Sequence, residues 1–125
     1  MEYRILGNSD LNISTIGYGA WGIGGEPFWN TEGEENSICS IKKAMDLGIN
    51  FYDTVPVYGF GYSEELLGKA LHSKRKDVII ATKCGLRWSR EEIKAIEKRA
   101  TRESILEEID LSLQRLRTDY IDLYQ

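Results

Sequence analysis

The sequence is short of several things, and each scarcity closes a class. Among 125 residues there are two cysteines, Cys39 and Cys84. They are too few and too far apart for a disulfide framework, so a reducing cytoplasm is the expected compartment. There is one histidine, His72. It falls at the end of a helical stripe, where a surface position is expected, and neither it nor the cysteines has a metal-ligand spacing. Basic residues are outnumbered, 16 against 20 acidic, for a formal charge of −4. That excludes the basic field that non-specific nucleic-acid binding needs. No apolar run approaches the roughly eighteen residues of a membrane span. Met1-Glu2-Tyr3-Arg4 is not followed by the apolar core of a signal peptide, so no leader and no membrane partner are expected. Only two prolines, with twelve glycines, keep the chain out of the disordered and collagen-like classes.

What is present suits a folded α/β unit. The chain is 42% hydrophobic and 29% charged. Its length is that of one domain that can bury a real core. It is also about half of the roughly 250 residues that a (β/α)8 barrel requires.

Residues 2–14 read as a hairpin. Tyr3, Ile5, Leu11 and Ile13 alternate with polar neighbours around Gly7-Asn8-Ser9-Asp10. A first core strand is expected at 14–18, followed by glycine-rich loop as far as Gly33. From Glu34 the period changes to that of a helix, with Ile38, Ile41, Ala44 and Met45 on one face and Gly48 as its C′ residue. A second strand follows at 49–52, ending at Asp53. Ser63 is the expected cap of a second helix with Leu66, Leu67, Ala70 and Leu71 inward. Lys74-Arg75-Lys76 reads as its solvated end. A third strand spans 78–81 and ends at Thr82-Lys83. The stretch 89–98 is helical in composition without a clear stripe. Thr101 is the expected cap of a long helix facing inward through Ile105, Ile109, Ser112 and Leu116, and a fourth strand is expected at 120–124. Strands alternating with helices imply a parallel sheet with right-handed crossovers.

Two constellations carry chemistry. Gly17-Tyr18-Gly19-Ala20-Trp21-Gly22 matches the dinucleotide fingerprint letter for letter. That fingerprint needs a helix opening on the glycines and an acidic residue about twenty positions on. Neither is evident, so the stretch reads as a loop that lets a ligand or backbone come close. The second constellation is a charge pair. Asp53 and Lys83 end neighbouring strands on the face where barrel sites are built. An acid and a lysine there should pair, either as a structural ion pair or as part of a site. Tyr58 lies in the loop above the same face. A phenol whose free pKa is about 10 needs a nearby cation to give up its proton near neutrality. The expectation is that Asp53, Lys83 and Tyr58 converge.

These stretches resemble an aldo-keto reductase, specifically its N-terminal half. The resemblance rests on Tyr3-Arg4-Ile5-Leu6-Gly7, Gly17-Tyr18-Gly19-Ala20-Trp21, Gly48-Ile49-Asn50-Phe51-Tyr52-Asp53-Thr54 and Val57-Tyr58-Gly59. It continues through Ser63-Glu64-Glu65-Leu66-Leu67-Gly68-Lys69-Ala70-Leu71, Ile80-Ala81-Thr82-Lys83, Leu113-Gln114-Arg115-Leu116 and Thr118-Asp119-Tyr120-Ile121-Asp122-Leu123-Tyr124-Gln125. It implies the first half of a (β/α)8 barrel, four parallel strands and three helices over 15–125 behind a hairpin over 1–14, as one domain. It implies reduction of a small aldehyde or ketone by NADPH. Tyr58 would be the general acid, Lys83 would make its proton available, and Asp53 would hold Lys83. Gly19, Ala20, Trp21 and Asp53 would lie beside the nicotinamide; Trp21, Tyr58 and Trp88 would line the substrate pocket.

The family's catalytic histidine, just beyond its fourth strand, has no counterpart in these 125 residues, nor does its main cofactor-binding half. Weak or absent NADPH binding is therefore expected of this half alone. Three possibilities follow: a fragment with little activity, a reductase assembled from two copies or with a complementary C-terminal half, and a self-associating half-barrel without catalysis. Four strands covered by helices on one side leave the other side open, so the chain is not expected to persist as a monomer. Ile16, Phe51, Ile80 and Leu123 are the expected exposed apolar positions.

Overall fold

The computed structural model describes residues 1–26, 29, 33–88 and 96–125. Strands β1 (Tyr3–Ile5) and β2 (Asn12–Ser14) form the hairpin, with Tyr3 opposite Ser14. The main sheet has β3 (Tyr18–Gly19), β4 (Phe51–Asp53), β5 (Ile79–Thr82) and β8 (Leu123–Tyr124), all parallel, in the order β3-β4-β5-β8. A small antiparallel ribbon joins β6 (Leu86–Arg87) to β7 (Glu97–Lys98). Helices α1 (Glu34–Asp46), α2 (Tyr62–Leu71) and α3 (Arg102–Leu116) connect the sheet strands. Among the described residues no helix is long and apolar enough to cross a membrane.

Tyr52 and Ile80 point to the helix side and are fully buried with Ile41, Leu66, Leu67, Leu71 and Leu116. Phe51, Asp53, Ile79, Ala81 and Leu123 lie on the other side by strand alternation. Ile80 is therefore not an open-face residue, as the sequence led us to expect; Ile79 holds that place. Ile16 is 60% exposed, and Phe51 and Leu123 are half-buried.

The first core strand is Tyr18–Gly19 rather than 14–18. Ser14 belongs to the hairpin. Its amide donates to the Asn50 side chain at 2.7 Å, its Oγ accepts from the Asn50 amide at 3.1 Å, and that hydroxyl donates to the Ile16 carbonyl at 2.7 Å. Those bonds turn the chain before the sheet begins. The last strand is shorter than its apolar run for a similar reason. Side chains take the places of ladder partners: the Asp122 carboxylate accepts from the Ile80 amide at 2.8 Å, and Arg75 donates to the Tyr120 carbonyl at 3.0 Å. Arg75 also pairs with Asp122 at 2.7 Å and is buried, so the basic cluster is not wholly a solvated helix end.

Helix α2 starts at Tyr62 with Gly61 before it, so Ser63 is not the cap. Thr101 does cap α3, accepting from the Ser104 amide at 3.3 Å. The inward stripe of α3 is Ser104, Glu108, Ser112 and Leu116; Ile105 and Ile109 sit half-buried at its flank. Small residues let α3 approach α2 closely. A Cβ built on Gly68 would stand 2.5 Å from the Arg115 carbonyl oxygen, a backbone atom that cannot swing aside. Gly68→Ala is expected to force the helices apart and cost about 1–3 kcal/mol. A urea unfolding curve checks this, and an unchanged midpoint would contradict the close approach. Of the ambiguous stretch 89–98, residues 89–95 lie outside the described residues, and Glu97–Lys98 is strand.

Candidate active site

The sheet register builds the site. Gly19 stands opposite Asp53, and Asp53 opposite Ala81. Lys83 is two residues past Ala81, so its side chain leaves the same face as that of Asp53. Its ammonium donates to Asp53 Oδ1 at 2.6 Å and to the Thr54 carbonyl at 2.9 Å. The expected charge pair is formed. Its side chains are 32% and 38% exposed, so solvent reaches it.

Tyr58 sits in the loop between β4 and α2, half-buried, its amide donating to the Val55 carbonyl at 3.0 Å. The ring stacks on Trp21, with centroids 6.1 Å apart and planes at 29°. Trp21 opens a single helical turn, Trp21–Ile23, directly after β3, and is 50% exposed. Ala20 between them is fully buried, its amide donating to the Asp53 carbonyl at 2.8 Å. Gly19, Ala20, Trp21, Asp53 and Lys83 are thus gathered at one end of the sheet, and Tyr58 joins them through its ring contact with Trp21. Among the described residues its hydroxyl makes no hydrogen bond to Lys83 or Asp53, whose ammonium and carboxylate bond to each other. The glycine motif opens no long helix, since α1 begins only at Glu34. Close approach is what these loops use their glycines for. Gly59 has φ +62°, and a Cβ there would collide with the Gly24 carbonyl.

Trp88 is placed differently. It packs on Phe60 at 5.5 Å, with the Arg115 guanidinium 6.0 Å from its ring centre. It lines a cavity of about 500 Å3 with Pro56, Leu86 and Leu111, toward α3. No ring contact joins it to the Trp21–Tyr58 stack among the described residues. His72 is exposed at the far end of α2, its Nδ1 3.1 Å from the Arg117 carbonyl.

A buried polar layer behind the site was not legible as such. Glu64 is fully buried, its carboxylate accepting from the Thr82 hydroxyl at 2.7 Å and from Arg115 Nε at 2.6 Å. Glu108 accepts from the Gly85 amide at 2.9 Å and from the Ser104 hydroxyl at 2.8 Å, fixing the loop just after Lys83. Burial in this layer pushes the Tyr124 hydroxyl's pKa upward, with Cys84 and Glu108 adding to the effect. On the α1 side, burial pushes Tyr52 up to about 12, so it stays neutral. The sequence signal for Ser63 and Glu64 lies in their spacing. Ser63 precedes Leu67 by four, and Glu64 precedes Leu67 by three and Leu71 by seven, which puts both on the inward face of α2.

Comparison with known proteins bears on this arrangement. Residues 15–125 match the Aldo/keto reductase family. The chain belongs to that family. It is 46% identical to aldo-keto reductase YhdN of Bacillus subtilis, covering all of this chain and 37% of that protein. It is 43% identical to NADH-specific methylglyoxal reductase of Escherichia coli, covering 95% of this chain and 39% of that one. Among solved structures, aldo-keto reductase AKR11C1 from Bacillus halodurans, in its holo form, superimposes with a TM-score of 0.90. The two are 37% identical, over all of this chain and 39% of that one. The chain therefore spans under two fifths of the length of these relatives. Its sheet, three helices and hairpin are the N-terminal half of an aldo-keto reductase (β/α)8 barrel.

Proposed function

We propose that this half-barrel, residues 15–125 behind the hairpin of 1–14, carries the proton-donating apparatus of a carbonyl reductase. Its substrate would be a small aldehyde or ketone and its cofactor NADPH. The observation that carries the reading is the Lys83 ammonium, fixed between Asp53 Oδ1 and the Thr54 carbonyl, at the start of the loop between β4 and α2 that carries Tyr58. A fixed cation stabilises the negative charge left on a phenol oxygen as its proton departs. Tyr58 then donates its proton to the carbonyl oxygen, and Asp53 holds Lys83 in place.

The residues present suit the nicotinamide end of such a cofactor. The half-exposed indole of Trp21, stacked on Tyr58, offers a flat ring an aromatic wall. Gly19 and Asp53 supply the floor beside it, and Ala20, which the sequence led us to place there, is fully buried and backs that floor from beneath. When bound, the reduced nicotinamide supplies the hydride that joins the carbonyl carbon. Tyr58 recovers its proton from water after the alcohol leaves. Trp88 is proposed to bound the substrate side.

The sheet ends in unpaired parallel edges at β3 and β8 among the described residues. We propose that a second barrel half completes it, either a complementary C-terminal half or a second copy. The alternative, a self-associating half-barrel without catalysis, draws on the same edges. The two free cysteines fit the cytoplasm as the place of action.

The test mixes the chain with the C-terminal part of the Bacillus subtilis relative, the region beyond their match. Methylglyoxal is offered with NADPH and, separately, with NADH. We expect little turnover from the chain alone, turnover from the mixture, and a loss of about 10²–10⁴-fold on Tyr58→Phe. Equal turnover by that variant would remove Tyr58 from its role. Sedimentation of a pure, inactive dimer of the chain, with no gain on mixing, would favour the alternative.

A further inference from the structure

Three backbone segments bring the candidate residues together, and one buried serine bonds to all of them. Ser63 is fully buried in the first turn of α2. Its hydroxyl donates to the Ala20 carbonyl at 3.0 Å, at the base of the Trp21 turn. A serine hydroxyl has one proton. The Thr54 hydroxyl, 2.8 Å away, is therefore the donor to Ser63 Oγ. The Ser63 amide donates to the carbonyl of Tyr58 itself at 3.2 Å. Thr54 is the residue whose carbonyl, with Asp53, holds the Lys83 ammonium.

One side chain and its amide thus tie the strand end carrying Trp21, the strand end carrying Asp53 and the loop carrying Tyr58. These ties are additional to the sheet ladder, whose register covers Tyr18–Gly19 and Phe51–Asp53 but not the residues beyond them. Glu64 next to it fastens the third strand end through Thr82, immediately before Lys83.

We infer that Ser63 is a positioning residue for this site: its hydroxyl sets the Ala20–Trp21 turn against Tyr58 and holds the Thr54 peptide that anchors Lys83. It touches neither substrate nor cofactor. The catalytic consequence rests on the proposed reductase reading, but the positioning does not.

The test compares Ser63→Ala and Ser63→Thr with the unsubstituted 125-residue chain by amide hydrogen exchange. The alanine variant leaves the Ala20 carbonyl and the Thr54 hydroxyl without their partner in a dry site. We expect amides of residues 20–24 and 54–60 to exchange about tenfold faster, the local equivalent of one lost buried hydrogen bond. Those of α1 should stay unchanged. The near-ultraviolet circular dichroism of the Trp21–Tyr58 stack should weaken in the same variant. Ser63→Thr keeps the hydroxyl and should restore both signals. In the mixture with a C-terminal half, Ser63→Ala should lower kcat about tenfold with KM nearly constant. Exchange that is unchanged, or faster by the same factor throughout the chain, overturns the inference. A wild-type mixture without carbonyl reduction would instead refute the reductase reading, and the exchange pattern would still decide the role of Ser63.

Discussion

Replacing Glu64 by alanine should destabilise the chain by about 3–5 kcal/mol, the usual cost of breaking a buried ion pair from one side. Glu64 is fully buried and Arg115 is 16% exposed on its side chain. Removing the carboxylate leaves a guanidinium facing a dry interior and strands the Thr82 hydroxyl. It also empties a volume against which α2 and α3 pack. Since whole domains hold only about 5–15 kcal/mol, the variant should be close to unfolding at room temperature. Glu64→Gln keeps an acceptor for Thr82 but loses the charge, so it should fall between the two. Urea denaturation of the three proteins reads this directly. A shift below about 1 kcal/mol for the alanine variant would mean that Arg115 reaches solvent without the pair.

Lys83→Met is expected to behave in the opposite way, with a large loss of activity and little loss of stability. The Lys83–Asp53 pair is about a third exposed on both sides, and such pairs contribute roughly 0–1 kcal/mol. Folding should therefore change little. On the proposed mechanism, turnover of the completed barrel should fall about 10²–10⁴-fold, because Tyr58 would lose the cation proposed to stabilise its oxygen as the proton leaves. Steady-state kinetics at saturating substrate, beside a urea curve, separates the two effects. A variant that unfolds easily yet keeps its turnover would make the pair structural.

Asp53 and Lys83 were legible in the sequence because each closes an apolar run. A charged residue at the end of a buried strand has few places to go. The helix faces led by Ile41 and Leu66 were legible for the equivalent reason, a 3.6-residue apolar period. What escaped was polar residues turned inward. Ser63 and Glu64 stand in the first turn of α2, where polar residues ordinarily serve the helix end, and that role masked their inward spacing. On α3 the apolar residues Ile105 and Ile109 pulled the expected face one residue away from Ser104 and Glu108. The true face is polar because it must bond the Gly85 amide and the layer behind the site. Arg75 reads as part of a surface cluster, since its partner Asp122 lies 47 positions away. The first strand was displaced because Ile16 looks like a strand residue, whereas the Ser14–Asn50 bonds decide where the chain turns.

The most direct measurement follows deuterium from NADPH carrying two deuteriums at C4 into the alcohol formed from methylglyoxal by the chain joined to a C-terminal half. Wild-type Tyr58 and Lys83 should give an alcohol carrying one deuterium on the carbinol carbon, and Tyr58→Phe and Lys83→Met should give almost none in the same time. Unlabelled alcohol, or equal labelling by both variants, would contradict the assignment of the Asp53–Lys83–Tyr58 site as the reducing centre.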